Sequence, residues 1–107
     1  MNHQFTFFKG RENIEVIKIP VSDPAGIVAN ILNVDGNIDP SKLTKIELIV
    51  GDVVISSPSE ITWSSDIITI TPTEQHLATL AKKSYSELVI YNGGLGNTIS
   101  TGYTLTL

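Results

Sequence analysis

The stretch DIITITPTEQHLATLAKKSYSELVIYN, Asp66–Asn92, reads as strand, capped helix, strand. The run Ile67-Ile68-Thr69-Ile70 ends at Thr71-Pro72-Thr73-Glu74, a helix start signal. Thr71 is placed to cap, Pro72 to take the first helical position, and Glu74 to close a capping box. A short helix is predicted over about residues 72–83, with Leu77, Leu80 and Ala81 on one face from Gln75 onward. Lys82 and Lys83 fall in its last turn, where basic residues suit the negative end of the helix dipole. The chain then returns as a strand, Tyr85 to Tyr91, closed by Gly93, Gly94 and Gly96. One helical crossover between late strands defines a β-rich architecture.

Outward from that stretch the chain alternates with period two, the mark of strands burying one face. Phe5-Thr6-Phe7 is a short first or edge strand. In Ile14–Val21 the side chains of Ile17, Ile19 and Val21 share a side, and Pro20 confines that strand to an edge or ends it. Ser22–Gly26 is turn chemistry. Ile27–Val34 reads as irregular with a short strand, and Asp35–Ser41 as a polar loop. Leu43–Val50 carries Ile46, Leu48 and Val50 inward, and Gly51-Asp52 turns it into Val53–Ile55. Ile61–Trp63 and Ile67–Thr71 follow. The last strand is Thr98–Leu107, with Ile99, Thr101, Tyr103, Leu105 and Leu107 on one face and Gly102 marking a bulge or a close approach. Short strands with turns roughly every 8–12 residues predict a mainly β, single-domain, immunoglobulin-like antiparallel sandwich over residues 1–107.

Composition narrows the function classes. The 107 residues make one domain, with 41% hydrophobic and 17% charged residues, the balance of a folded chain. A net charge of -4 with scattered basic residues argues against a nucleic-acid partner. No cysteine is present, which removes disulfides, thiolate metal sites and cysteine nucleophiles. The N-terminal Met1–Lys9 lacks the pattern of a signal peptide, and no run approaches a membrane span. Synthesis in the cytoplasm is the expectation, with no membrane partner.

Each candidate for chemistry has a plain structural alternative. Asp35-Gly36-Asn37-Ile38-Asp39 spaces oxygen donors like a calcium loop, but Pro40 and Ile46 stand where that loop needs glycine and a bidentate glutamate. Asx turns explain it. Gly93–Asn97 is followed by a strand where a phosphate loop needs a helix, so a hairpin connection is the reading. His76 sits on the helix surface and His3 near the terminus, making neither a metal pair nor a triad. No nucleophile elbow or zinc signature is visible. The chain is read as non-enzymatic, with catalytic residues, metal and cofactor all entered as none.

The aromatic residues carry what binding signal there is. Trp63, Tyr85, Tyr91 and Tyr103 suit either a carbohydrate platform or a core with polar tips at its rim, and the core reading is preferred. Phe5, Phe7 and Phe8 put aromatics on both faces of one short segment. That suits a partner surface or a strand buried on both sides.

Lys45–Val50, Ile61-Thr62-Trp63, Ile67–Ile70, Leu77 with Leu80, Tyr85 with Glu87-Leu88, and Gly102–Leu105 together form a pattern over Leu43–Leu107. This pattern resembles the small immunoglobulin-like β-sandwich of bacteriophage tail, baseplate and other structural proteins. The resemblance implies assembly or binding, a short helix between two late strands, and a tyrosine opening the strand after it. It brings no catalytic residues. The expectation is a structural protein of a phage or prophage virion, working through protein partners as a homo-oligomer or virion assembly. Its expected interface is Phe5, Phe7 and Phe8, with Tyr103 second. The alternative is a carbohydrate or host-surface binding module built from Trp63, the tyrosines and the Asp35–Asp39 loop.

Overall fold

Alternation is cleanest at Lys45–Val50, where Ile46, Leu48 and Val50 are buried and the residues between them half-buried. Such a strand covers a core on one face only. The computed structural model describes residues 3–19 and 28–107. Among the described residues there are eight strands: β1 Phe5–Phe7, β2 Glu15–Lys18, β3 Lys45–Val50, β4 Val53–Ser56, β5 Ile61–Ser64, β6 Ile67–Ile70, β7 Lys83–Asn92 and β8 Leu95–Thr106. One helix, α1, spans Glu74–Thr79.

The strands form a five-stranded sheet in the order β1-β8-β7-β3-β4 and a three-stranded sheet in the order β2-β6-β5. In immunoglobulin sandwiches one sheet contains strands B, E and D and the other G, F and C, with C′ added in the variable type. Here β2-β6-β5 stands for B-E-D and β8-β7-β3-β4 for G-F-C-C′, with β1 beside β8. The pairings are antiparallel except β1–β8, which run parallel. The domain lacks the disulfide and the strand-C tryptophan of antibody domains; it has no cysteine, and Trp63 lies on β5. Aliphatic packing replaces them, with Ile17, Ile61, Ile68 and Ile70 of one sheet against Ile46, Leu48, Ile55 and Leu88 of the other.

Three two-residue connections fix register. Gly51 (φ 57°) begins the β3–β4 turn and Gly93 (φ 64°) the β7–β8 turn. A positive φ at the first central position is what a tight hairpin of type II′ needs. The third connection, Ser65-Asp66, joins β5 to β6.

Several expectations are corrected. The helix is shorter than residues 72–83 and its cap is Thr73, whose hydroxyl accepts the His76 N–H at 3.2 Å. Pro72 and Leu77, both buried, occupy the positions of a hydrophobic staple around that cap. Glu60, only 4% exposed, accepts the Thr73 N–H at 2.8 Å, the bond that a capping-box glutamate would supply from within the helix. Lys82 and Lys83 leave the helix because the sheet captures them: the Lys82 carbonyl accepts the Thr106 N–H, and Lys83 pairs with Leu105. Ala29–Ile31 is a 3-10 turn, and Leu32 makes a single bridge to Ile38. Pro20, Val21, the turn at residues 22–26 and Ile27 lie outside the described residues.

The largest correction is on β8. Ile99 is an extra residue, since Leu88 pairs with Ser100 while Val89 pairs with Thr98. This bulge reverses the inward set beyond it, so Ser100, Thr104 and Thr106 face the core and Tyr103 faces out. The inward hydroxyls are partly matched to one another, Thr104 donating to Ser86 at 3.0 Å.

Candidate binding surface

The register of β7 and β8 sets Tyr85 directly opposite Tyr103. Cross-strand neighbours share a face, and this pair stands on the face turned away from the core. The two side chains are 52% and 50% exposed, with ring centroids 6.1 Å apart and ring planes at 82°. Edge-to-face contact is a favoured aromatic geometry, and it leaves ring surface for a third group. Lys83, two residues before Tyr85 and on the same face of β7, places its ammonium 4.6 Å from the Tyr103 ring centroid.

Beside this pair the N-terminal segment closes a groove. The His3 N–H donates to the Thr101 carbonyl at 3.0 Å, bringing the segment across Gly102. A Cβ at Gly102 would stand 2.4 Å from the His3 carbonyl oxygen, so only glycine permits this approach. The close approach anticipated at Gly102 is therefore present, while the bulge lies at Ile99. The resulting concavity, about 380 Å³, is lined by His3, Gln4, Tyr85, Thr101, Gly102 and Tyr103.

The same sheet face carries a different arrangement at its other end. The Tyr91 hydroxyl donates to Glu47 at 2.5 Å, and Lys45 stands 3.6 Å from that carboxylate and 4.4 Å from the Tyr91 ring centroid. The Tyr91 ring lies over Gly96, where a Cβ would meet it at 2.6 Å. The bond to Glu47, burial and the carboxylate charge, in that order, hold the Tyr91 phenol above its ordinary range.

The sequence-selected residues separate. Phe5 and Phe7 are 2% and 0% exposed, stacked 6.1 Å apart in the core. Their side chains present no partner surface, because β1 turns them inward against the second sheet. Phe8 is half-buried, with the Arg11 guanidinium 4.6 Å from its ring centroid and its backbone bonded to Asn13. Tyr103 alone of the four is exposed, and it meets Tyr85, which the sequence reading places in the core. Trp63 is half-buried against the core in the three-stranded sheet, away from the Tyr85–Tyr103 sheet. In the Asp35–Asp39 loop, Asn33 accepts the N–H groups of Asp35 and Asn37. Asp39 accepts the Ser41 hydroxyl and N–H, which hold its carboxyl below the ordinary value. These are Asx turns. His76, read as a surface histidine, places Nδ1 2.8 Å from Glu60 and so joins the helix cap. That partner is distant in sequence, and spacing alone carries no signal for it.

Compared with known proteins, the chain matches no family model, no curated protein and no solved structure. The fold itself defines its class, a cysteine-free immunoglobulin-like sandwich. Among the described residues, no helix is long and apolar enough to cross a membrane.

Proposed function

We propose that this protein is a non-enzymatic structural and interaction module that joins a protein assembly through the outer face of its five-stranded sheet. The observation that carries this reading is the exposed Tyr85–Tyr103 pair. Tyrosine is enriched in interface cores because it combines a large apolar area with a polar tip. Half-buried Leu105 pairs with Lys83 at one border of the pair, and exposed Val54 stands further along the sheet, opposite Ile49. A role as a phage or prophage virion component is carried by the strand-pattern resemblance alone, and the interface proposal does not depend on it.

The test is light scattering over a concentration series, with the double variant Tyr85→Ser/Tyr103→Ser alongside. An oligomer that the double variant converts to monomer, at an unchanged melting temperature, supports assembly through this face. An oligomer indifferent to both substitutions places the interface elsewhere and contradicts the reading. A wild-type monomer restricts the partner to another protein.

A further inference from the structure

We infer that the groove between Tyr85, Tyr103 and the N-terminal segment accepts an extended, proline-rich segment of a different protein. The inference rests on the outer face being a protein-binding surface, and it specifies the partner's chemistry. Among the described residues the lining contains no Lys, Arg, Asp or Glu, and it offers two phenol rings and an exposed Gln4 amide beside Gly102. The volume of about 380 Å³ is at the small end for a ligand site. A groove of this kind suits a narrow ridge.

The hydrogen-bonding groups of the lining can serve an acceptor-rich partner. No protein group is bonded to the Tyr85 or Tyr103 hydroxyl among the described residues, so both hydroxyls, with Gln4, can donate outward. A proline-rich polyproline II segment has fully solvated carbonyl acceptors and few N–H donors, and aromatic grooves recognise such segments because their conformation is preformed. Its rise of about 3.1 Å per residue makes two steps about 6.2 Å. The ring centroids are 6.1 Å apart, so pyrrolidine rings two residues apart can straddle the pair.

Ring geometry separates this ligand from a glycan. A flat sugar chain stacks on rings that share a plane, whereas these planes meet at 82° and Lys83 already lies against Tyr103. An angled slot receives a wedge better than a ribbon. Charge gives the segment its ends. Lys83 and Glu87 flank Tyr85 by two residues on the same face of β7, so an acidic residue fits beside the first and a basic residue beside the second. This sequence does not supply such a segment itself, because its five prolines (Pro20, Pro24, Pro40, Pro58 and Pro72) stand singly.

The test is fluorescence anisotropy of a labelled, end-capped peptide of six prolines flanked by Asp and Arg, titrated with the full chain. A neutral peptide with Ser at both ends and the soluble glucan cellohexaose serve as competitors. Saturable binding is expected, weakened about tenfold by Tyr85→Ser or Tyr103→Ser at an unchanged melting temperature. Lys83→Glu is expected to weaken the charged peptide several-fold and leave the neutral one unaffected. Absence of saturation at about 1 mM chain, or binding indifferent to both tyrosine substitutions, overturns the inference. Tyrosine-dependent binding of cellohexaose without peptide binding also overturns it, in favour of a glycan. A peptide that fails while the double variant still dissociates an oligomer sinks this inference alone. Failure of both experiments removes the outer-face reading as well.

Discussion

The outer face of the five-stranded sheet carries tyrosines at both ends, and the two ends are finished differently. Around Tyr91 each polar and apolar demand is met from within: Glu47 takes the hydroxyl, Lys45 covers the ring and Gly96 lies beneath it. Around Tyr85 and Tyr103 the rings meet at their edges and the hydroxyls bond to no protein group among the described residues. A tyrosine whose partners are all present contributes to the fold. One left half-exposed beside a groove contributes little to stability and is available to a ligand. The comparison supports a structural role at one end of the face and the proposed binding role at the other, although both ends are aromatic and both sit on β7.

The strongest way to break this assignment lies beneath the sheet. Phe7→Ser removes a fully buried ring from the core, and deletions of that size cost about 3–5 kcal/mol. Its expected outcome is loss of cooperative unfolding in a thermal melt, not a folded chain with weaker association. A folded, dissociated Phe7→Ser variant would return the interface to β1. Gly102→Ala should come next, because its Cβ meets the His3 carbonyl. Overpacking of this kind costs about 1–3 kcal/mol, and the amide signals of His3 and Gln4 should shift most in an NMR comparison.

The smallest stability effects sharpen the contrast between the tyrosines themselves. Tyr91→Phe loses the bond to Glu47, worth about 1 kcal/mol, whereas Tyr85→Phe and Tyr103→Phe should fall within about 0.5 kcal/mol of wild type. Urea titrations of the three variants check the order. The Tyr91 difference also depends on pH. Its phenol is raised in the folded state, so its stabilising contribution is complete below the ordinary phenol value of about 10 and is lost as pH rises through the raised one. The gap between wild type and Tyr91→Phe should therefore close in strongly alkaline buffer. A gap that widens there would contradict the bond.

How much of this was legible in the sequence differs by element. The alternation of β3 and the glycine at its hairpin gave the sandwich, since each inward residue is apolar and each turn residue is suited to its φ. On β8 the same reasoning groups Ile99 with Thr101, Tyr103 and Leu105, from which the bulge separates it. The strand's inward positions hold Ser100, Thr104 and Thr106, while Tyr103 and Leu105 lie on the other side. Nothing in the local pattern marks Ile99 as the residue that reverses the face. The bulge also sets the site: counted from the Gly93-Gly94 connection without it, Tyr85 would face Gly102, and with it Tyr85 faces Tyr103. The spacing puts the helix start two residues early for a related reason, because the carboxylate that completes the cap comes from Glu60, outside the helix. Phe5 and Phe7 are ambiguous in sequence because a short aromatic strand serves a core and an interface equally well until its partner strand is known. Parallel pairing with β8 places both of them in the core.

The most direct measurement is nitration of the intact chain with tetranitromethane, followed by mass spectrometry of the three tyrosine peptides, with and without the hexaproline peptide flanked by Asp and Arg. The account predicts fast modification of Tyr85 and Tyr103, slow modification of Tyr91, and protection of the first two alone when the peptide is present. Tyr91 reacting as fast as the pair, or a peptide that saturates the chain without protecting Tyr85 and Tyr103, would contradict it.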